Sequence, residues 1–132
     1  MKKIILYTLL ALLLGTSCAK RTESKLVGTW RIETEIGSEN MWLEGAYWKF
    51  YSDGTLEVLD IYQRDSLPDK GTYDVFTRSL VTPYIKIKGL GDLTLNGIWR
   101  VEKCNNKHLV INRVEWLNGD TQAAFMRREF RK

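Results

Sequence analysis

The feature that most constrains this chain is an alternation of apolar and polar side chains with a period of two, sustained over most of its length. No stretch past the first 25 residues holds an apolar repeat at helical spacing, so the pattern predicts strands throughout. Leu26, Gly28, Trp30, Ile32 and Thr34 share one face of a first strand, opposite Val27, Thr29, Arg31 and Glu33. Ala46, Trp48 and Phe50 alternate with Tyr47, Lys49 and Tyr51. Further along, Ile85 and Ile87 alternate with Lys86 and Lys88, and Trp99 and Val101 with Arg100 and Glu102. Turn signals separate the runs: Asp53-Gly54, Asn105-Asn106, and Leu117-Asn118-Gly119-Asp120. Gln63 to Lys70, with Pro68 and several charges, is a loop. About eight short strands result, the number at which a sheet closes on itself and removes its edges. The expectation is an all-β chain folded as a single antiparallel up-and-down barrel over residues 26–132, without a second domain, an internal repeat or a low-complexity segment.

The first residues read differently. Lys2 and Lys3 precede an apolar run from Ile4 to Leu14, interrupted only by Thr8 and too short to span a bilayer, and the small residues Gly15-Thr16-Ser17 lead to Cys18. This resembles a bacterial lipoprotein signal. The resemblance implies cleavage before Cys18 and acylation of its thiol and amine by chains such as palmitate, with the membrane as partner. The usual box has Leu three residues before the cysteine. Here Gly15 stands there and Leu14 one residue earlier, a looser form similar to that of Bacteroidetes lipoproteins. An ordinary secretory signal is the alternative, since Gly15-Thr16-Ser17 also satisfies the small-x-small rule. The division is then a signal peptide over 1–17, a lipid-anchored tether over 18–25 and a barrel over 26–132. Ala19 to Lys25 holds no aromatic or branched apolar residue, which is why it reads as a tether. The implied location is the cell envelope, as an outer-membrane lipoprotein on the periplasmic or surface face.

Charge narrows the partners. The whole chain carries +4, and without Lys2 and Lys3 the balance is 18 basic against 16 acidic residues, interspersed along the sequence. That is not the footprint of a nucleic-acid binder. If Cys18 carries lipid, Cys104 is left alone and no internal disulfide forms; an unacylated Cys18 in an oxidising compartment would be free to pair with Cys104.

Several motifs resemble those of lipocalin-like barrels. Gly28-Thr29-Trp30 is similar to the Gly-x-Trp of their first strand, with Gly28 allowing close packing at the closed end and Trp30 plugging it. The resemblance further implies a last-strand cation, Arg127 or Arg128, over the Trp30 ring. Trp48-Lys49-Phe50 followed by Asp53-Gly54, and then Gly71-Thr72-Tyr73, complete an order that resembles lipocalin-like domains of Bacteroidetes lipoproteins. These residues define architecture rather than a ligand site.

No catalytic constellation assembles, so the chain is not expected to be an enzyme. There is one histidine, His108, and neither Cys-x-x-Cys, a Gly-rich phosphate loop nor His-Glu-x-x-His. No cofactor or metal is called for. Two binding classes remain. In the first, a small hydrophobic or amphipathic ligand enters the barrel mouth, with Trp42 and Trp48 giving apolar surface and Tyr62 or Asp60 polarity. Trp42 belongs to a long connection, Gly37 to Gly45, where Met41-Trp42-Leu43 must cover something. Asp60 and Tyr62 continue the inward face of Leu56 and Val58, although a twist or bulge there would expose them. In the second, the barrel is solid and acts as an interaction or inhibitor module for an envelope or host protein, through surface aromatics such as Tyr47 and Tyr51.

Overall fold

The computed structural model describes residues 2–33, 46–60, 67–79, 81–121 and 126–132, with the backbone alone for 11–17. Helix α1 (Lys2–Leu26) precedes eight strands: β1 (Gly28–Ile32), β2 (Tyr47–Phe50), β3 (Thr55–Leu59), β4 (Asp69–Thr77), β5 (Pro83–Lys88), β6 (Gly97–Cys104), β7 (His108–Glu115) and β8 (Arg127–Arg131). Neighbours in sequence pair antiparallel, and β8 returns to β1 through Arg31↔Arg131 and Ile32↔Phe130. The chain is therefore the eight-stranded up-and-down barrel that the alternation predicts. The strand ends that flank 51–54, 78–82 and 105–107 lie at one end with the last turns of α1, and those that flank the four longer connections, 33–46, 60–68, 89–96 and 116–126, lie at the other.

Inward-facing side chains fill the barrel. Trp48 meets Trp99 and Phe130 edge-on, with ring centroids 5.4 and 5.3 Å apart, and Phe50 meets Tyr73 at 5.0 Å. Leu56, Val58, Ile85, Ile87, Leu109 and Ile111 complete the buried interior. At the β2–β3 turn, Tyr51 N–H donates to the Thr55 carbonyl at 2.9 Å and the Asp53 carboxylate accepts from Thr55 N–H at 2.9 Å, as the Asp-Gly signal requires.

One expectation needs correction. Ala19 to Lys25 is not an unordered tether but the last part of α1, and the first strand starts at Gly28 rather than Leu26. Thr22 and Leu26 stand four residues apart on one helix face and are both buried, and α1 packs against β4, β5 and β6. The segment lacks apolar content of its own. It borrows order from the barrel end that it covers.

A short repeat, also unanticipated, seals both ends. Leu26-Val27-Gly28-Thr29-Trp30 and Leu95-Asn96-Gly97-Ile98-Trp99 share the pattern Leu-x-Gly-x-Trp. In each, the indole N–H donates to the carbonyl of the leucine four residues back, at 2.7 Å for Trp30 and 2.9 Å for Trp99, and both leucines and both tryptophans are buried. The glycines have φ of +130° and +139°, a region that other residues rarely adopt. A cation from the adjoining strand lies beside each glycine. A Cβ on Gly28 would stand 2.6 Å from Lys132 Cε; one on Gly97 would stand 3.2 Å from Arg113 Cδ and 2.4 Å from the Glu115 carbonyl oxygen. Lys132 Nζ donates to the Val27 carbonyl at 2.7 Å and Arg113 Nη1 to the Asn96 carbonyl at 3.5 Å, the residue before the glycine in both cases.

The cation over Trp30 is thus Lys132, with Nζ 4.8 Å from the ring centroid, and not Arg127 or Arg128. β8 meets β1 only through its last residues, so the position over Trp30 falls to residue 132. Arg128 lies further up the same strand and faces Asp60, while Arg127 points outward to Glu102 and Glu129.

Trp30→Ala should destabilise the barrel by about 3–5 kcal/mol, and Lys132→Ala by about 0.5–1 kcal/mol, read as shifts of the urea midpoint. Gly97→Ala should cost more than Gly28→Ala, because its new Cβ meets a backbone carbonyl rather than the end of a flexible side chain.

Tyr73 adds a pH dependence. Its hydroxyl donates to the Tyr51 carbonyl at 2.6 Å, and burial, aided by the negative charges of Glu23 and Asp53, raises its pKa from 10.0 to about 12. The folded state holds this proton more tightly than the unfolded chain. The contribution is complete below pH 10 and is lost as pH rises towards 12. Tyr73→Phe should flatten that part of the stability profile.

Candidate functional site

Asp60 directly follows β3 and continues the inward face of Leu56 and Val58, at the end opposite α1. It is 2 % exposed. Trp48 Nε1–H donates to its Oδ2 at 2.7 Å, while Arg128 approaches both oxygens, Nε to Oδ2 at 3.4 Å and Nη2 to Oδ1 at 3.3 Å. The fold therefore brings Trp48, Asp60 and Arg128 together, three residues that strand alternation alone places on three separate strands or their ends. Trp42 and Tyr62 lie outside the described residues.

This arrangement is a fork between a guanidinium and a carboxylate, set against aromatic rings. Such a buried pair gains little over apolar packing, yet removing one partner strands the other charge. Arg113, also buried and facing inward from β7, binds its proton less tightly than an ordinary arginine. Burial is the main cause and the nearby Arg128 charge the second, with Asp92 acting in the opposite sense. Above this polar layer the 89–96 connection folds inward, placing Leu90 and Leu95 in the core; Asn96 fixes it by accepting from Leu90 N–H and donating to the Leu90 carbonyl, both at 3.0 Å. Asp69 ties it to β4 by accepting from the N–H groups of Gly91 and Asp92.

A cleft of about 510 Å3 lies outside the barrel, between α1 and the β5–β6 side. Cys18, Thr22, Pro83, Arg100, Lys103 and Cys104 are among its lining residues. Cys18 Sγ lies 3.6 Å from the Val81 carbonyl in the β4–β5 turn. Cys104 faces the same cleft, and burial pushes its thiol pKa up against the opposing charges of Lys25 and Lys132. Neither cysteine is bonded.

The described parts of three connections at the Asp60 end present large apolar side chains to solvent. Leu67 is 90 % exposed in 60–68, Leu93 71 % in 89–96, and Trp116 and Leu117 begin 116–126 at 37 % and 47 %. Tyr47 and Tyr51 are less available. Both are half-buried, and Tyr51 donates its hydroxyl to Glu57 at 3.1 Å beneath the ammonium group of Lys49. His108 opens β7 half-buried, and no three His, Cys, Asp or Glu side chains among the described residues gather to hold a metal.

Sequence reasoning missed the second Leu-x-Gly-x-Trp plug, which was there to be matched, and the exposed loop leucines, which are apolar residues inside turn-forming segments. No protein-family model matches the chain, and neither a curated protein nor a solved structure matches it.

Asp60→Ala should destabilise the fold by about 3–5 kcal/mol because Arg128 loses its buried partner. Combining Asp60→Leu with Arg128→Met should recover most of that loss. Urea denaturation followed by tryptophan emission reads both.

Proposed function

We propose that this protein is a lipid-anchored cell-envelope barrel, resembling lipocalin-like lipoprotein domains, that binds an envelope or host protein through the apolar rim opposite α1. It acts by binding, not by catalysis. The observation that carries this reading is the contrast between interior and rim: Trp48, Trp99 and Phe130 occupy the lumen while Leu67, Leu93, Trp116 and Leu117 stand out in solvent at one end. Clustered exposed apolar loops are the usual mark of a contact surface. Attachment through acylated Cys18 at the other end is supported by the signal-like run Ile4 to Leu14 and by Ile4, Ile5, Leu6, Leu9 and Leu10, which find no cover on the barrel. No helix among the described residues is long and apolar enough to cross a membrane.

A second reading, a small amphipathic ligand at the mouth, is favoured by the Asp60–Arg128 pair, a polar layer in an otherwise apolar interior.

Photo-crosslinking in the living bacterium separates these readings. A photoreactive residue at Leu93 or Trp116 should give a discrete crosslinked protein band that one at Lys86, on the outer wall, does not. A hydrophobic fluorophore should bind without saturation. Saturable binding of the fluorophore, with no rim-specific crosslink, would favour the ligand reading and overturn the interaction module. Anchoring is tested separately: Cys18→Ser should leave the membrane fraction, and the wild type should incorporate labelled fatty acid.

A further inference from the structure

The α1 end of the barrel is basic. The segments there, residues 18–27, 51–54, 78–82, 105–107 and 132, contain six basic residues by sequence, Lys20, Arg21, Lys25, Arg78, Lys107 and Lys132, against two acids, Glu23 and Asp53. Composition alone conceals this, since acids and bases are interspersed along the chain and these basic turns meet only when the antiparallel topology brings them to one end.

Cys18 lies at the basic end. Its sulfur is fixed beside the Val81 carbonyl by α1, whose following turns are packed through Thr22 and Leu26. Lys20 and Arg21, directly after it, are exposed, as are Lys103 near the end of β6 and Lys107 in the next turn. An anchor on a free tether would leave the barrel's orientation open. An anchor on an ordered helix against one end keeps that end near the lipid, and only its tilt is left open.

We infer that the α1 end is a second, electrostatic membrane contact: Lys20, Arg21, Lys103 and Lys107 rest on the anionic phospholipid headgroups of the membrane that holds Cys18, so the barrel stands with its apolar-tipped rim directed away from the lipid. This rests on acylation of Cys18. Each basic side chain held near an anionic surface strengthens attachment by about fivefold. The contact therefore orients a protein that its lipid already retains, and it exposes the rim where a partner reaches it.

The test uses the acylated protein recovered from bacterial membranes and placed in vesicles. Asn106→Cys and Asn118→Cys, exposed in turns at opposite ends, each carry a fluorophore in a Cys104→Ser background. Nitroxide-headgroup lipids then quench whichever end lies at the surface. In vesicles with about 30 % anionic phospholipid, quenching at residue 106 should exceed that at 118 by about threefold or more. The ratio should fall by about half or more in zwitterionic vesicles, in about 0.5 M salt, or in Lys103→Glu/Lys107→Glu protein whose urea midpoint is unchanged, and a ratio that none of the three lowers overturns the docking contact. A ratio near one, or below it, in anionic vesicles that carry the protein on flotation overturns the docking contact and leaves the anchor standing. Failure to float with either vesicle overturns the anchor and the contact together.

Discussion

Everything in this barrel depends on how its two ends are stoppered. Closing a sheet satisfies the strand edges but leaves an open tube, and a tube lined by Trp, Phe, Ile and Leu would admit water at both mouths. The Leu-x-Gly-x-Trp pattern answers this twice. Each leucine enters the core just before its strand starts, the glycine turns the chain through positive φ, and the tryptophan closes the loop by bonding back to the leucine carbonyl. A cation from the neighbouring strand takes the next carbonyl, which would otherwise lack a partner next to apolar surface. Since β1 begins at the α1 end and β6 at the other, one local device serves both mouths.

With the ends stoppered, burial dictates what else the interior contains. Trp48, Trp99 and Phe130 pack edge to face, and the indole N–H of Trp48 needs an acceptor that apolar neighbours cannot supply. Asp60 supplies it. A carboxylate there needs a counter-charge in turn, which Arg128 provides from the far side of the barrel seam. The polar layer thus follows from the choice of a tryptophan at position 48, and ligand chemistry is not needed to account for it.

A filled interior shifts the proposed function to the outside. The turns that the fold sends to one end are basic and adjoin Cys18; Leu67, Leu93, Trp116 and Leu117 are exposed at the other. The lipid attachment point and protein-binding rim that we propose would lie at opposite poles, an arrangement that a barrel provides without any moving part.

The sequence by itself determined the strand count, the inward and outward faces and the turn at Asp53-Gly54, because strand alternation and positive-φ turns are local properties of two to four residues. It left Asp60 open between an inward face and an exposing twist or bulge, and the structure buries it. Tertiary structure decided the rest. Which cation covers Trp30 depended on the register between β8 and β1, a non-local quantity that moved the role from Arg127 or Arg128 to Lys132. Whether Ala19 to Lys25 ordered depended on a barrel end for Thr22 and Leu26 to rest on. The gathering of Lys20, Arg21, Lys107 and Lys132 at the α1 end depended on topology alone: these residues are scattered along the chain and meet only when successive strands run in opposite directions, because antiparallel pairing sends alternate turns to opposite ends.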